Sequence, residues 1–315
     1  MRIAILDDYQ GVSLSLADWA QLPEGTDIVP FTDHVADEDG LAARLAEFDV
    51  VCRMRERTPM PASLLERLPR LKLIAATGAR NPDIDLARAR ELGIAVCQTS
   101  SFGLSTVEIA WWLILSLFRR APQERDRLRS GAWQGHLGHT VQGKSLGVIG
   151  LGKLGTPVAR IALAFGMKVL AWSPNLTSER AAAEGAVAVP LQQLLREADA
   201  ITIHMPLSER SRGLLGAPEL ALMKRGAFLV NTSRGPIVDE PALLAALQEG
   251  RIGGLGLDVF DVEPLPPDHP FRYLPNVVAT PHIGYVTEET YRLYFQETLE
   301  NIQAFLSGRP LRLIN

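Results

Sequence analysis

At 315 residues, with 47% apolar and 22% charged side chains, the chain has the size for two domains with a hydrophobic core each and the composition of an ordinary globular protein. A net charge of −4 excludes a broad basic footprint for nucleic acid or an anionic membrane surface. Two cysteines without CxxC or Cys/His spacing exclude a disulfide scaffold and a metal site. The longest apolar stretch, 109–118, falls far short of the ~20 residues that span a bilayer. The first apolar run is stopped by Asp7 and Asp8, too early for a signal peptide, so the expected location is the cytoplasm.

The first hundred residues alternate strand signals at 3–6, 27–30, 50–52, 71–75 and 94–97 with helical patterns at 39–47, 61–68 and 86–91. Strands alternating with helices of this length predict a parallel, doubly wound sheet. Cys52 and Cys97 fall in apolar strand patterns and read as small core residues. A helix at 105–120 is apolar on nearly every face, so it is expected to be buried between elements or subunits, with Trp111 and Trp112 packing rather than serving a ligand. The arginines from Arg119 to Arg129, interleaved with Glu124 and Asp126, read as a solvated helix face. A second alternating series follows, with strands at 145–149, 168–172, 186–189, 200–204, 227–231, 254–259 and 277–279 and helices at 156–165, 191–198, 217–222 and 240–249. A long helix at 287–306 closes the chain. The expected division is one domain over 99–282 and a second built from 1–98 and 283–315. Two crossings between them imply a cleft, where ligand sites are commonest.

The strand at 145–149 runs into Gly150-Leu151-Gly152-Lys153-Leu154-Gly155 and then a helix. That is the strand–turn–helix setting in which GxGxxG means dinucleotide binding. Gly150 permits the sharp turn, Gly152 lets backbone approach a pyrophosphate, and Gly155 lets helix and strand pack closely. The helix N-terminus then offers N–H groups and partial positive charge to the phosphates. Gly253-Gly254-Leu255-Gly256 is rejected as a second fingerprint, because it lacks the third spaced glycine and leads into a strand.

Four strand ends carry chemistry. In an open parallel sheet, ligands bind outside the carboxyl ends of the strands. Arg234, just past the strand at 227–231, is placed either to grip a carboxylate with two parallel hydrogen bonds or to sit in a surface turn; position alone leaves these balanced. Asp258 and Glu263, past the next strand, are candidates for an amide-binding acid and an orienting carboxylate, against a bland pair of loop acids. His282 lies between a strand end and Gly284. Imidazole is the side chain best poised to move a proton near neutral pH, and Glu263 is the natural partner for its second nitrogen. His34, His136, His139, His204 and His269 show no such arrangement in the sequence. The glycine turn after 71–75 (Thr77-Gly78-Ala79) reads by itself as an ordinary strand–loop–helix connection, although its N–H groups could hold an anion.

Taken together and in this order, these stretches resemble the D-isomer-specific 2-hydroxyacid dehydrogenases along essentially the whole chain: the turn at 77–85, the fingerprint at 150–155, His204-Met205-Pro206-Leu207, Asn231 to Gly235, Leu257 to Pro264, and Pro281-His282-Ile283-Gly284. The resemblance implies two doubly wound parallel-sheet domains, a Rossmann-type cofactor domain inserted into a flavodoxin-like substrate domain. It implies hydride transfer between NAD or NADP and a small D-2-hydroxy or 2-keto acid. Arg234 falls on the residue that holds the substrate carboxylate, Glu263 on the one that orients the histidine, and His282 on the proton donor and acceptor. Gly150, Gly152, Lys153, Leu154, Gly155, Ser173, His204, Pro206, Thr232, Ser233, Asp258 and Gly284 fall on cofactor positions, Asp258 against the carboxamide. Thr77, Gly78 and Ala79 fall where backbone N–H groups bind the substrate carboxylate, and Arg55 on a residue that approaches substrate in some members. The apolar helix resembles the family's dimer face, so a homodimer is expected, with no nucleic-acid or membrane partner.

Two departures bear on specificity. Ser173 stands where NAD-dependent members usually carry an acid, so the 2′-OH loses an acceptor and a 2′-phosphate loses a repulsive charge. Pro174 follows where NADP-preferring relatives often place Arg, and Arg180 reaches a phosphate only if the loop folds back. Arg80 replaces a small turn residue and is expected to face solvent. The chain ends soon after the long helix, so feedback through an appended serine-binding domain is not expected. The alternative reading is a non-catalytic, dinucleotide-sensing binding protein on the same scaffold, akin to the corepressors that resemble these enzymes.

Overall fold

The computed structural model describes every residue except Arg80 and Phe102. The chain divides into two compact units, Met1–Phe102 with Thr287–Asn315, and Gly103–Val286.

The first unit contains, in order, β1 (Arg2–Ile5), β2 (Asp27–Pro30), α1 (Glu38–Leu45), β3 (Val50–Arg53), α2 (Ala62–Leu65), β4 (Leu73–Ala76), α3 (Leu86–Glu91) and β5 (Ala95–Gln98). Its five strands are all parallel in the order β2-β1-β3-β4-β5. That is the flavodoxin-like order, with its switch point between β1 and β3. β3 and β4 are buried along their whole length, as strands covered on both faces must be. Asp37 and Asp85 cap α1 and α3 by accepting from Gly40 and Arg88 N–H.

The second unit begins with α4 (Leu104–Arg119) and α5 (Ala121–Arg129). It continues through β6 (Ser145–Ile149), α6 (Gly155–Ala164), β7 (Lys168–Trp172), α7 (Ser178–Ala183), β8 (Val187–Ala188), α8 (Leu191–Glu197) and β9 (Ala200–Ile203). Next come α9 (Ala217–Leu222), β10 (Phe228–Asn231), α10 (Glu240–Gln248), β11 (Gly254–Leu257) and β12 (Val277–Ala279). The last helix, α11 (Glu288–Leu306), returns to the first unit. The seven parallel strands run β12-β11-β10-β9-β6-β7-β8, a Rossmann order extended by one strand, with the switch point between β6 and β9. Both sheets are wholly parallel, the architecture implied by the resemblance.

Strand alternation divides the second unit's core in two. Val148, Ala200, Val230 and Val278 pack with α4 and α6, while Ile149, Ile201, Leu229 and Leu255 pack with α8, α9 and α10. α4 explains the glycines rejected as a fingerprint. A Cβ on Gly256 would lie 3.1 Å from Leu113 Cβ, and one on Gly254 3.2 Å from Leu117, so bare backbone lets this helix lie close on the sheet. Trp111 is buried in that layer, whereas Trp112 is 47% exposed. α5 buries nothing, as its charge pattern implies. α7, a six-residue helix capped by Thr177, was not expected from the sequence pattern. Cys52 and Cys97 are both buried, and burial pushes their thiols up to about 12 and about 11, which leaves them inert packing residues. Among the described residues no helix is long and apolar enough to cross a membrane.

Candidate active site

Because every strand of the seven-stranded sheet is parallel, their carboxyl ends share one edge. Gly150 follows β6, Ser173 follows β7, His204 follows β9, Thr232 to Arg234 follow β10, Asp258 follows β11, and Thr280 to Gly284 follow β12. Register sets Asn231 beside Leu257 and Leu257 beside Ala279. Residues 26 and 22 apart in sequence thus become neighbours.

At the fingerprint, Gly150 has φ +101°, and a Cβ there would lie 2.6 Å from the His204 carbonyl oxygen. Gly155 packs directly on the Gly150 carbonyl. A Cβ on Gly152 would meet nothing within 4 Å, so backbone is open there to an incoming group. Ser173 Oγ accepts from Leu151 N–H at 3.1 Å, tying the end of β7 to the turn. Two buried polar atoms on this edge, His204 Nδ1 and Thr232 Oγ1, have no hydrogen-bond partner among the described residues. An open glycine cradle with orphaned donors and acceptors is what a bound dinucleotide would fill, so the residues present fit the cofactor that the fingerprint implies. Burial pushes the His204 imidazole down to about 4, so this ring is neutral at physiological pH.

The β10 end is braced internally. Asn231 Nδ2 donates to the Arg234 carbonyl at 2.8 Å, its Oδ1 accepts from Ser233 N–H at 3.0 Å, and Ser233 Oγ donates to the Ile203 carbonyl at 2.7 Å. Gly235 abuts the Phe260 and Asp261 backbone so closely that no side chain fits. Phe260 N–H in turn donates to Glu263 Oε1 at 2.9 Å, and Glu263 Oε2 lies 2.6 Å from His282 Nδ1. A continuous path of contacts therefore links the Gly235 turn, just past Arg234, to Glu263 and His282. An ionised carboxylate only accepts, so the proton of this last bond sits on Nδ1 and Nε2 is left to exchange one with a ligand.

His282 is held in the left-handed region, φ +52°, a strained setting for a residue with a Cβ. The restraint comes from Asp258. Its Oδ1 accepts from Thr280 Oγ1 at 2.7 Å and Ile283 N–H at 2.8 Å, and its Oδ2 accepts from Gly284 N–H at 2.8 Å. Burial raises the Asp258 pKa, partly opposed by the Thr280 hydrogen bond. The Tyr285 ring stands edge-on to His282, centroids 5.3 Å apart. Thr280, Ile283 and Tyr285 were not picked out in the sequence. Thr280 directly precedes the Pro281-to-Gly284 stretch, but nothing there shows its contact with an acid 22 residues upstream.

The first unit places Arg55 at the end of β3, with φ +52° and its guanidinium laid against Gly78. Thr77 Oγ1 accepts from Arg55 N–H at 2.9 Å. Here the expectation of a backbone cradle needs correction. Thr77 N–H donates to the Arg53 carbonyl at 2.9 Å and Gly78 N–H to Thr99 Oγ1 at 2.8 Å, so two of the three N–H groups are engaged in holding the turn. The charged group at this turn is Arg55. Arg80 lies outside the described residues.

A second correction concerns the other histidines. His34 pairs with Asp7 at 2.8 Å, His136 with Glu124 at 2.7 Å and His269 with Glu240 at 3.0 Å, so a carboxylate partner does not single out His282. Its place on the strand-end edge does. Among the described residues no group of His, Cys, Asp and Glu is arranged to hold a metal ion.

Residues 111–284, more than half of the chain, match the family described as D-isomer specific 2-hydroxyacid dehydrogenase, NAD binding domain. The chain belongs to the D-isomer-specific 2-hydroxyacid dehydrogenases. It is accordingly an oxidoreductase of 2-hydroxy acids that works with NAD or NADP. Among its relatives is a glyoxylate reductase of Korarchaeum cryptofilum, 38% identical over 90% of this chain and 84% of that one. Another is a hydroxypyruvate reductase of Blautia hydrogenotrophica, 30% identical over the full length of both. The crystal structure of a phosphoglycerate oxidoreductase from Vibrio cholerae superposes with a TM-score of 0.92 at 36% identity, covering 98% of this chain and 99% of that one.

Proposed function

We propose that this dehydrogenase interconverts a small 2-oxo acid and its D-2-hydroxy acid through Arg234, Glu263 and His282, with glyoxylate and hydroxypyruvate as the first substrates to test. Arg234 clamps the substrate carboxylate and polarises the adjoining carbonyl. His282 Nε2 gives a proton to the carbonyl oxygen in reduction and takes it back in oxidation. Glu263 holds the tautomer and stabilises the charged ring. A dihydronicotinamide held in the glycine cradle would supply the hydride for the carbonyl carbon. Gly150 to Gly155, Ser173, His204, Pro206, Thr232, Ser233 and Gly284 are assigned to the cofactor, with Asp258 at its carboxamide, and Arg55 with the Ala79 N–H to the substrate. The second unit is thereby the cofactor domain and the first the substrate domain.

The observation that carries this reading is the 2.6 Å hydrogen bond between His282 and Glu263, on the same strand-end edge as the glycine cradle. A homodimer is part of the proposal, supported by Trp133 at 72% exposure, Leu137 at 92% and Leu128 at 61%, apolar surface of the kind a second copy would cover. The proposed setting is the cytoplasm, where soluble NAD(P) pools are used.

The test is oxidation of NADPH and NADH with glyoxylate, hydroxypyruvate, pyruvate and phosphohydroxypyruvate, for the wild type and His282→Ala. Turnover by the wild type and its loss in the variant, with cofactor binding retained, is the expected result. A wild type that binds cofactor and turns over none of the four, or a variant as active as the parent, refutes it.

A further inference from the structure

Glu263 holds the His282 ring by one atom, Nδ1, at 2.6 Å. The second torsion of a histidine side chain is broad, so a single hydrogen bond leaves the ring free to twist and swing Nε2. A neighbour packed on the ring itself removes that freedom. Tyr285 is such a neighbour: it is 7% exposed, and its ring centroid lies 5.3 Å from that of His282 with the planes at 83°. This is a perpendicular arrangement that aromatic rings prefer.

Tyr285 is delivered to this place by backbone contacts that do not involve the His282 ring. The chain doubles back here. His282 N–H donates to the Thr280 carbonyl at 3.0 Å and Val286 N–H to the Ile283 carbonyl at 2.9 Å. Gly284, between the two aromatic residues, is held from two sides. Its N–H donates to Asp258 Oδ2 at 2.8 Å, and its carbonyl accepts from Thr106 Oγ1, on α4, at 3.1 Å. A Cβ at 284 would lie 2.9 Å from Asp258 Oδ2 and 3.4 Å from Thr106, so bare backbone lets both side chains close on it. The residue after β11 and the start of α4 thus fix the backbone from which the Tyr285 ring projects, and burial restricts its rotamers.

We infer that Tyr285 is a positioning residue for the proton transfer: its ring holds the imidazole in the orientation that keeps Nδ1 on Glu263 and aims Nε2. The ring acts, not the hydroxyl. The inference rests on the reading of His282 as the proton carrier and adds a residue to it. A proton passes only across a hydrogen-bonded distance, so a ring that wanders spends less time in the reactive pose. An aromatic pair of this kind shifts such a population by about three- to tenfold.

The test compares Tyr285→Phe, which keeps the ring, with Tyr285→Leu, which fills the space without one. In Tyr285→Leu, kcat should fall by about three- to tenfold with KM and nucleotide affinity unchanged. Its solvent deuterium isotope effect on kcat should rise, because proton transfer has become slower. Tyr285→Phe should match the wild type in each respect. In the cofactor-free protein, the proton between His282 Nδ1 and Glu263 should give a far-downfield NMR resonance, assigned by its absence from His282→Ala. That resonance should persist in Tyr285→Phe and broaden away in Tyr285→Leu. Wild-type kcat and an intact resonance in Tyr285→Leu overturn the inference, as does a loss confined to its melting temperature. Tyr285→Phe as impaired as Tyr285→Leu overturns it too, and all three results leave the dehydrogenase assignment standing. Should Tyr285→Leu fail to fold, Tyr285→Met is measured in its place. A wild type without turnover removes the reading of His282, and this inference with it.

Discussion

Replacing Asp258 with asparagine removes one acceptor from a fully used carboxylate and puts a donor in its place. The amide oxygen can keep Thr280 Oγ1 and Ile283 N–H, but Nδ2 then faces Gly284 N–H, donor against donor. Losing that bond and stranding the buried N–H costs about 1–3 kcal/mol. Relief of the charge works the other way, because burial already disfavours ionised Asp258. Desolvation relief cannot supply the missing acceptor, so the net expected loss is about 1–2 kcal/mol. His282 has a further reason to relax once the clamp weakens, since the left-handed region costs a residue with a Cβ roughly 1–2 kcal/mol. The sum is enough to lower the population of the Glu263-bound ring, and with it kcat/KM, by about tenfold or more. Hydrogen exchange in the cofactor-free protein should show Ile283 and Gly284 amides opening faster in the variant, beside the fall in kcat/KM. If those amides stay as protected as in the wild type while activity falls, Asp258 acts through the cofactor alone and the clamp argument fails.

Two further outcomes follow from the same edge. His204 titrates near 4 when folded against 6.5 when free, so its contribution to stability is present above pH 6.5 and is lost as pH falls towards 4. That difference amounts to about 3 kcal/mol, and His204→Gln should flatten the urea-unfolding profile over this window by about that amount; an unchanged slope would show that the ring is not buried neutral. Arg234→Lys keeps the charge but loses the planar fork, so kcat/KM for any accepted 2-oxo acid should fall by about ten- to a hundredfold with cofactor affinity unchanged. Equal kinetics for the lysine variant would mean that position 234 supplies only a point charge.

Much of the architecture is legible from local pattern. Strand signals at 145–149 and 168–172 coincide with β6 and β7, and the helix after Gly155 starts where the glycine spacing says it must. These features depend on side-chain period and on backbone angles that only glycine tolerates, and both are written residue by residue. The pairing of Glu263 with His282 was foreseeable because both sit just past adjacent apolar runs. Other contacts at the same strand ends were not. Nothing near Thr99 announces that its hydroxyl captures Gly78 N–H, and nothing near His34 announces Asp7.

The amino-acid order by itself determined two alternating series, the nucleotide-type turn, and which residues stand at strand ends. Strand order decided the rest. β10, β11 and β12 lie side by side, so one Asp258 carboxylate closes the His282 loop. Such contacts join residues that chain spacing leaves unrelated, because a hydrogen bond depends on distance in space, and only the packed sheet sets that distance.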